Sequence, residues 1–354
     1  MGFLLPDTIP ISTEMLRLIS EVDRFRGGWD AALPLAPERL AGLRRVATIE
    51  SVGSSTRIEG AKLSNAQVDA LLGNLSRQSF ATRDEQEVAG YAFVLEQVFA
   101  FADSIPLTAG FVRQLHRDLL QYSTKDERHR GDWKTHPNLM AAFDAEGKQV
   151  GILFQTSSPF ETPQHMEALL DWHRRAEHDS GLHPLLRVGI FVVMFLAIHP
   201  FQDGNGRLSR VLTMLLLLRA GYSYAPYSSL ESLIEQSKEA YYLALRRTQT
   251  SWQQGQPDWD AWLVFFLRTL HRQTQVLQQR VAGQKPAAGG SVVLSPEARK
   301  VLSLFDGRET LTTRETVEIT GIALSTVKVR LKELLAAGVI EAHGRGKATF
   351  YRRR

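Results

Sequence analysis

Between Arg187 and His199 the chain runs through eleven residues without a polar side chain, Val188-Gly-Ile-Phe-Val-Val-Met-Phe-Leu-Ala-Ile198. A bilayer span takes about 20 such residues, so this stretch reads as a helix buried in a protein core. Helical patterning surrounds it. Apolar residues recur at helical spacing over Leu35–Ser55, Ser64–Leu75, Arg83–Ala102, Thr108–Tyr122 and Pro163–Glu177, then Pro184–Ile198 and Gly206–Ala220, and finally Ser229–Thr248 and Trp259–Arg280. One stretch, Asn138–Ser158, reads as a β-hairpin: Leu139, Phe143, Val150, Ile152 and Phe154 flank a turn at Ala145-Glu-Gly-Lys148. The expected fold class is therefore mainly α, with one hairpin.

The length of 354 residues suggests two or three domains. The segment Ala282-Gly-Gln-Lys-Pro-Ala-Ala-Gly-Gly-Ser291 is small, rich in Gly and Pro and without apolar periodicity, and marks a linker. With no cysteine, disulfides, thiolate metal sites and cysteine nucleophiles are excluded. That usage fits a reducing, cytoplasmic setting. Pro6 and Asp7 interrupt the start before any secretory signal forms. The net charge is +4, unevenly placed: from Ser295 to Arg354, twelve Lys and Arg face seven Asp and Glu, leaving the rest at −1. This points to an anionic partner for the C-terminal part; the alternative is a solvated basic tail.

The segment richest in chemistry is His199-Pro-Phe-Gln-Asp-Gly-Asn-Gly-Arg-Leu-Ser-Arg210. Pro200 ends the apolar helix. Gly204 and Gly206 flank Asn205 and permit a tight turn that feeds a new helix, whose free N–H groups and positive dipole end form an anion site. Arg207 and Arg210, three apart, share a face of its first turn and suit more than one phosphate. Asp203 at the lip of the turn suits a hard cation such as Mg²⁺, and His199 is a general base that titrates near neutrality. A P-loop would need Lys followed by Ser or Thr after its glycine, where Arg207-Leu208 stands. An EF-hand loop opening at Asp203 would place Arg207 and Met214 at ligand positions.

This segment resembles the signature of the Fic family, His-Pro-Phe-x-Asp/Glu-Gly-Asn-Gly-Arg-x-x-Arg, at every fixed position, and the resemblance extends over about Thr82–Arg280. It implies an all-helical core with a β-hairpin flap and transfer of AMP from ATP to a Ser, Thr or Tyr hydroxyl of a protein. His199 would take the hydroxyl proton. Asp203 would hold Mg²⁺ across the α- and β-phosphates. Gly204, Asn205 and Gly206 would form the anion hole, Arg207 would support the phosphates, and Arg210 would clamp the γ-phosphate. The hairpin at 138–158 would align the target by strand addition. Tyr241 and Tyr242 stand where the family often lines the adenine site, although adjacent helical aromatics also suit core packing.

Upstream, Ser55 and Glu59 lie four apart, on one helix face, before Gly60. The segment resembles the family's inhibitory helix, Ser/Thr-x-x-x-Glu-Gly/Asn, in the subclass that carries it N-terminal to the core. The resemblance implies autoinhibition, with Glu59 pairing with Arg210 in the γ-phosphate clamp. Removal of AMP, or a different donor such as UTP or a choline-bearing nucleotide, stays open.

After the linker, a helix from Ser295 to Phe305, a capping box at Thr312-Thr-Arg-Glu315, a turn at Gly321, a helix Ser325–Ala337 and two short strands resemble a winged helix. Thr326, Lys328 and Arg330 would face a DNA major groove, and Arg345 and Lys347 would form the wing; a protein-contact role is the alternative. The expected domains are 1–81, with the inhibitory helix at 52–62, a catalytic core at 82–281, a linker at 282–293 and a winged helix at 294–354. The expected partners are a protein with an exposed hydroxyl and DNA, with no membrane. Self-modification and homodimerisation are left open, as is a regulator that binds DNA and senses nucleotide.

Overall fold

The computed structural model describes residues 5–6, 9–31, 37–74, 80–143, 149–178, 181–283, 296–308, 310–336, 339–344 and 349–353. Residue contacts divide the chain into two units, 1–278 and 279–354. The hairpin turn at 145–148, most of the expected linker, and Arg345 and Lys347 lie outside the described residues.

In the first unit the order is α1 (Thr13–Ala31), α2 (Pro37–Ile58), α3 (Asn65–Leu72), α4 (Arg83–Phe101), α5 (Ala109–Leu119), β1 (Leu139–Phe143), β2 (Gln149–Gln155), α6 (Thr162–His178), α7 (Pro184–Ile198), α8 (Asn205–Arg219), α9 (Leu230–Gln236), α10 (Lys238–Gln253) and α11 (Asp260–Gly283), which runs past the division. The apolar stretch is α7, and every residue from Leu185 to Ile198 is buried. Pro184 occupies its first turn, and His183 Nδ1 accepts the Leu185 N–H at its start. Helices α6 and α8 pack against α7, and Trp262 of α11 donates to the Gly189 carbonyl at 2.7 Å. Each of the buried Phe191, Phe195 and Leu196 side chains contributes about 1.5–3 kcal/mol. Strands β1 and β2 pair antiparallel from Leu139↔Gln155 to Phe143↔Gln149, with two register irregularities.

Four details differ from the sequence expectation. Helix α1 was not anticipated, although Met15, Leu18, Ile19 and Val22 are buried at helical spacing. The stretch expected as one helix over Ser229–Thr248 is two, α9 and α10, broken at Ser237 (φ −117°, ψ 32°). The expected inhibitory helix at 52–62 is the last part of the 22-residue α2, which ends at Ile58 and leaves Glu59 and Gly60 in the following turn. A third short strand was also missed in the second unit.

That unit contains α12 (Pro296–Ser303), a 3₁₀ turn at Leu304–Gly307, β3 (Thr310–Thr312), α13 (Thr313–Thr320), α14 (Leu324–Ala336), β4 (Ile340–His343) and β5 (Phe350–Arg353). The sheet order is β3-β5-β4, antiparallel throughout. Thr312 and Glu315 form the expected capping box at α13. Ala298, Val301, Phe305, Leu311, Val327, Leu331, Leu334 and Ile340 make its core. Because Val327, Leu331 and Leu334 turn α14 inward, Lys328 and Lys332 are exposed. Arg330 is instead engaged within the unit, 2.8 Å from Glu333 and 3.7 Å from Glu297. Among the described residues no helix is long and apolar enough to cross a membrane.

Candidate active site

The corner between α7 and α8 gathers most of the residues singled out in the sequence. His199 caps α7 in the left-handed region (φ 52°, ψ 60°), and its N–H closes on Phe195 O. Gly204 caps α8 at φ 79°, a conformation that suits glycine. Between them Asn205, 1% exposed, bridges the Phe201 backbone: its Oδ1 accepts the Phe201 N–H at 2.9 Å and its Nδ2 donates to Phe201 O at 2.7 Å. The Asn205 side chain therefore shapes the turn, and what the turn offers an anion is its backbone.

His199 Nδ1 lies 3.3 Å from Leu196 O. A carbonyl only accepts, so this contact puts the ring hydrogen on Nδ1 and leaves Nε2 with its lone pair. Burial first, and then the Lys134 ammonium, push the imidazole down to about 4, against Leu196 O, Glu59 and Asp203. Such a ring is neutral at physiological pH and ready to accept a proton.

Asp203 accepts the Gly204 N–H at 2.6 Å and lies 3.3 Å from Arg207. Arg83 and Lys125 approach its other oxygen at 3.5 and 3.9 Å. Burial works to raise its carboxyl, but Arg207, the Gly204 N–H, Lys125 and Arg83 together hold it below the ordinary carboxylate range. Among the described residues no three His, Asp or Glu side chains gather to hold a metal. One ionised carboxylate on an open turn fits Mg²⁺, which takes its other ligands from phosphate and water, and does not fit a cation caged by protein alone.

The two arginines are buried, at 2% and 4% exposure. Arg207 spans Glu87 (3.2 Å) and Asp203. Arg210 donates from Nε to Ser55 Oγ at 2.8 Å and from Nη2 to Ser55 O at 2.9 Å and Glu59 Oε1 at 2.8 Å. Burial opposes its charge, yet the Glu59 carboxylate beside it holds it firmly protonated. Arg207 Nε is buried with no hydrogen-bond partner among the described residues, and a buried guanidinium donor left open in this way creates a demand for a further acceptor. The Glu59 carboxylate also lies over Gly206, where a Cβ would collide with it.

Tyr241 is 3% exposed, packed with Tyr242, Trp262 and Phe265, and its hydroxyl lies against Arg210. Burial raises both tyrosines, Tyr241 to about 12. Sequence reasoning missed four residues of this region. Glu87 pairs with Arg207. His116, fully buried, donates from Nε2 to Asp203 O at 2.9 Å and accepts the Gly131 N–H on Nδ1 at 2.8 Å. Lys134 and Asn138 contact the backbone around His199. Apart from the Asn138 that opens the hairpin, no local pattern marks these side chains, because their partners are distant in sequence.

Comparison with known proteins bears on the same region. The Fic/DOC family matches residues 106–217, and a winged helix-turn-helix DNA-binding family matches 298–341. Proteins named protein adenylyltransferase Fic are 28% identical over 197 residues in Drosophila willistoni and over 196 in Drosophila melanogaster. Each match covers 54% of this chain and 37% of the relative, so the chain spans little more than a third of those proteins' length. Among solved structures, a Fic family protein from Desulfovibrio desulfuricans aligns over 99% of this chain and 98% of its own, at a TM-score of 0.64 and 22% identity. A Fic domain containing signaling protein from Bacteroides thetaiotaomicron aligns over 77% and 99%, at 0.59 and 24%. These likenesses establish the fold.

Proposed function

Starting from a chain that carries a Fic domain followed by a winged helix-turn-helix, we propose that it is an autoinhibited protein adenylyltransferase. The reading rests above all on one observation: Arg210, buried at the start of α8 beside the His199 corner, is held by the Glu59 carboxylate where a phosphate would otherwise be its partner.

In this reading ATP lies along the turn at 203–206, with its phosphates toward Arg207 and Arg210. His199 Nε2 takes the proton of a Ser, Thr or Tyr hydroxyl as that oxygen bonds to the α-phosphorus. The bond from the α-phosphorus to the bridging oxygen breaks, and pyrophosphate leaves. Asp203 would hold Mg²⁺, which when bound neutralises charge on the phosphate oxygens. The Gly204–Gly206 backbone and the two guanidiniums meet the charge that develops on the transferred group. Glu59 keeps Arg210 occupied and sets a negative charge against the triphosphate. Helix α2 is itself fastened: Arg57 pairs with Glu235 of α9 through contacts of 2.7 and 2.9 Å. The test is Glu59→Gly with labelled ATP and candidate protein acceptors, the chain itself included. The reading expects label well above wild type, and equal labelling would reject the inhibitory role.

For the second unit the proposal is duplex DNA binding, supported by the winged-helix match and by the exposed Lys328 and Lys332 on α14.

A further inference from the structure

Lys134 is 2% exposed and lies 64 residues before Ile198 in sequence, yet it grips the backbone on both sides of His199. Its ammonium donates to Ile198 O at 2.9 Å, and its main-chain N–H donates to Pro200 O at 2.8 Å. The other two ammonium hydrogens go to Asn138 Oδ1 at 2.8 Å and Thr156 Oγ1 at 2.9 Å. All three ammonium partners are neutral oxygens. Ile198 O is the last carbonyl of α7, so the buried cation also sits at the negative end of that helix.

Asn138 and Thr156 are the roots of the hairpin, one just before β1 and one just after β2. Thr156 Oγ1 donates to Asn138 O at 2.9 Å, and Asn138 Nδ2 reaches His199 O at 3.3 Å and Phe201 O at 2.7 Å. The carbonyls of 198, 199, 200 and 201 are thus all held by Lys134 and Asn138. This grip falls where it is most needed. His199 is the one non-glycine residue at positive φ among the described residues. The left-handed conformation is costly for a side-chain-bearing residue and persists only where the surroundings impose it.

We propose that Lys134 is a positioning residue of the transfer site, locking the His199 backbone to the roots of the hairpin so that seating a target segment on the hairpin and setting the imidazole are one event. The role in transfer rests on the adenylyltransferase reading; the mechanical coupling does not. The ammonium is also one of the charges facing His199, where it opposes Glu59 and Asp203.

The test uses the full chain carrying Glu59→Gly, alone and with Lys134→Met, Lys134→Arg or Thr156→Val. With transfer as readout, Lys134→Met lowers kcat about a hundredfold, the scale of a small misplacement of a catalytic group, while ATP affinity holds. It also moves the acid limb of kcat/KM to higher pH. Lys134→Arg keeps the charge but not the three-way donor geometry, so it loses kcat and leaves the acid limb in place. Thr156→Val, which cuts the tie to the second root of the hairpin and leaves Lys134 bonded to Asn138, costs about tenfold, the worth of one charge-assisted hydrogen bond. Retention of kcat in Lys134→Met, or an acid limb that stays put, overturns the proposal. Hydrogen exchange decides the coupling independently of any activity: in Lys134→Met the amides of β1 and β2 and those of 199–205 exchange faster together. Loosening of the hairpin alone contradicts the coupling. If Glu59→Gly transfers nothing, the adenylyltransferase reading fails while the exchange result still stands.

Discussion

Glu59 Oε1 lies 2.8 Å from Arg210 Nη2, and the same carboxylate covers Gly206, the second residue of α8. One side chain thus takes both a buried guanidinium and the space above a helix N-terminus, the two elements a phosphate would use there. Arg210 Nε and Nη2 also donate to Ser55, one turn earlier on α2. Losing Glu59 therefore leaves Arg210 anchored to Ser55, while losing Arg210 would remove the phosphate clamp that the proposed function assigns to it.

That asymmetry predicts the behaviour of Arg210→Gln in the Glu59→Gly background. ATP affinity falls about tenfold or more, the worth of a charge-assisted phosphate contact, while ADP affinity is little changed because the assigned γ-phosphate is absent. Calorimetric titration with both nucleotides checks this. Equal losses for ATP and ADP would move Arg210 away from the γ-phosphate.

The pH dependence of transfer follows from His199, lowered to about 4 by burial and by Lys134. Its lone pair is available above that value, so kcat/KM for the Glu59→Gly protein stays level from pH 7.5 down to about 5.5. A histidine at its ordinary value near 6.5 would lose about tenfold over the same range. A rate profile through that window separates the two.

Acid stability depends on two further histidines as well as on His199, whose lowered value acts in the same direction down to about pH 4. Burial, above all, pushes His116 and His173 down to about 3. The unfolded chain protonates them below about 6.5, whereas the folded chain does so only near 3. Between those values the unfolded state binds more protons. The stabilisation is therefore complete above pH 6.5 and is lost as pH falls toward 3, by about 1.4 kcal/mol per pH unit for each histidine. Urea unfolding at pH 6.5, 5.5 and 4.5 should show this slope. His173→Phe, which keeps an aromatic ring against Phe191, should remove one histidine's share. An unchanged slope would contradict the assignment.

On α14 the exposed lysines and the engaged arginine separate in a salt titration. Lys328→Ala lowers the dependence of log K on log salt for duplex DNA by about one unit. Arg330→Ala, which loses pairs with Glu297 and Glu333, leaves that slope alone and lowers thermal stability. Binding that ignores salt would remove DNA as the partner of this face.

The parts of the fold that were legible in sequence carry local signals. Helix α7 runs over the expected Pro184–Ile198 because a proline opens it and Pro200 follows its end. The α13 capping box needs only Thr312 and Glu315, three apart. The break at Ser237 has no glycine or proline to announce it and could not be read from periodicity. His116 and Lys134 were invisible for a different reason. Their bonds to Asp203 and Ile198 cross 87 and 64 residues, and a lone His or Lys among ordinary helical and loop residues does not disclose a distant carbonyl.

The most direct measurement is mass spectrometry of Glu59→Gly, and of the same protein with His199→Ala, after incubation with ATP and Mg²⁺. The account predicts AMP on a Ser, Thr or Tyr hydroxyl with release of pyrophosphate in the first, and an unmodified protein that still binds ATP in the second. No AMP in the first, or equal modification in the second, would contradict it.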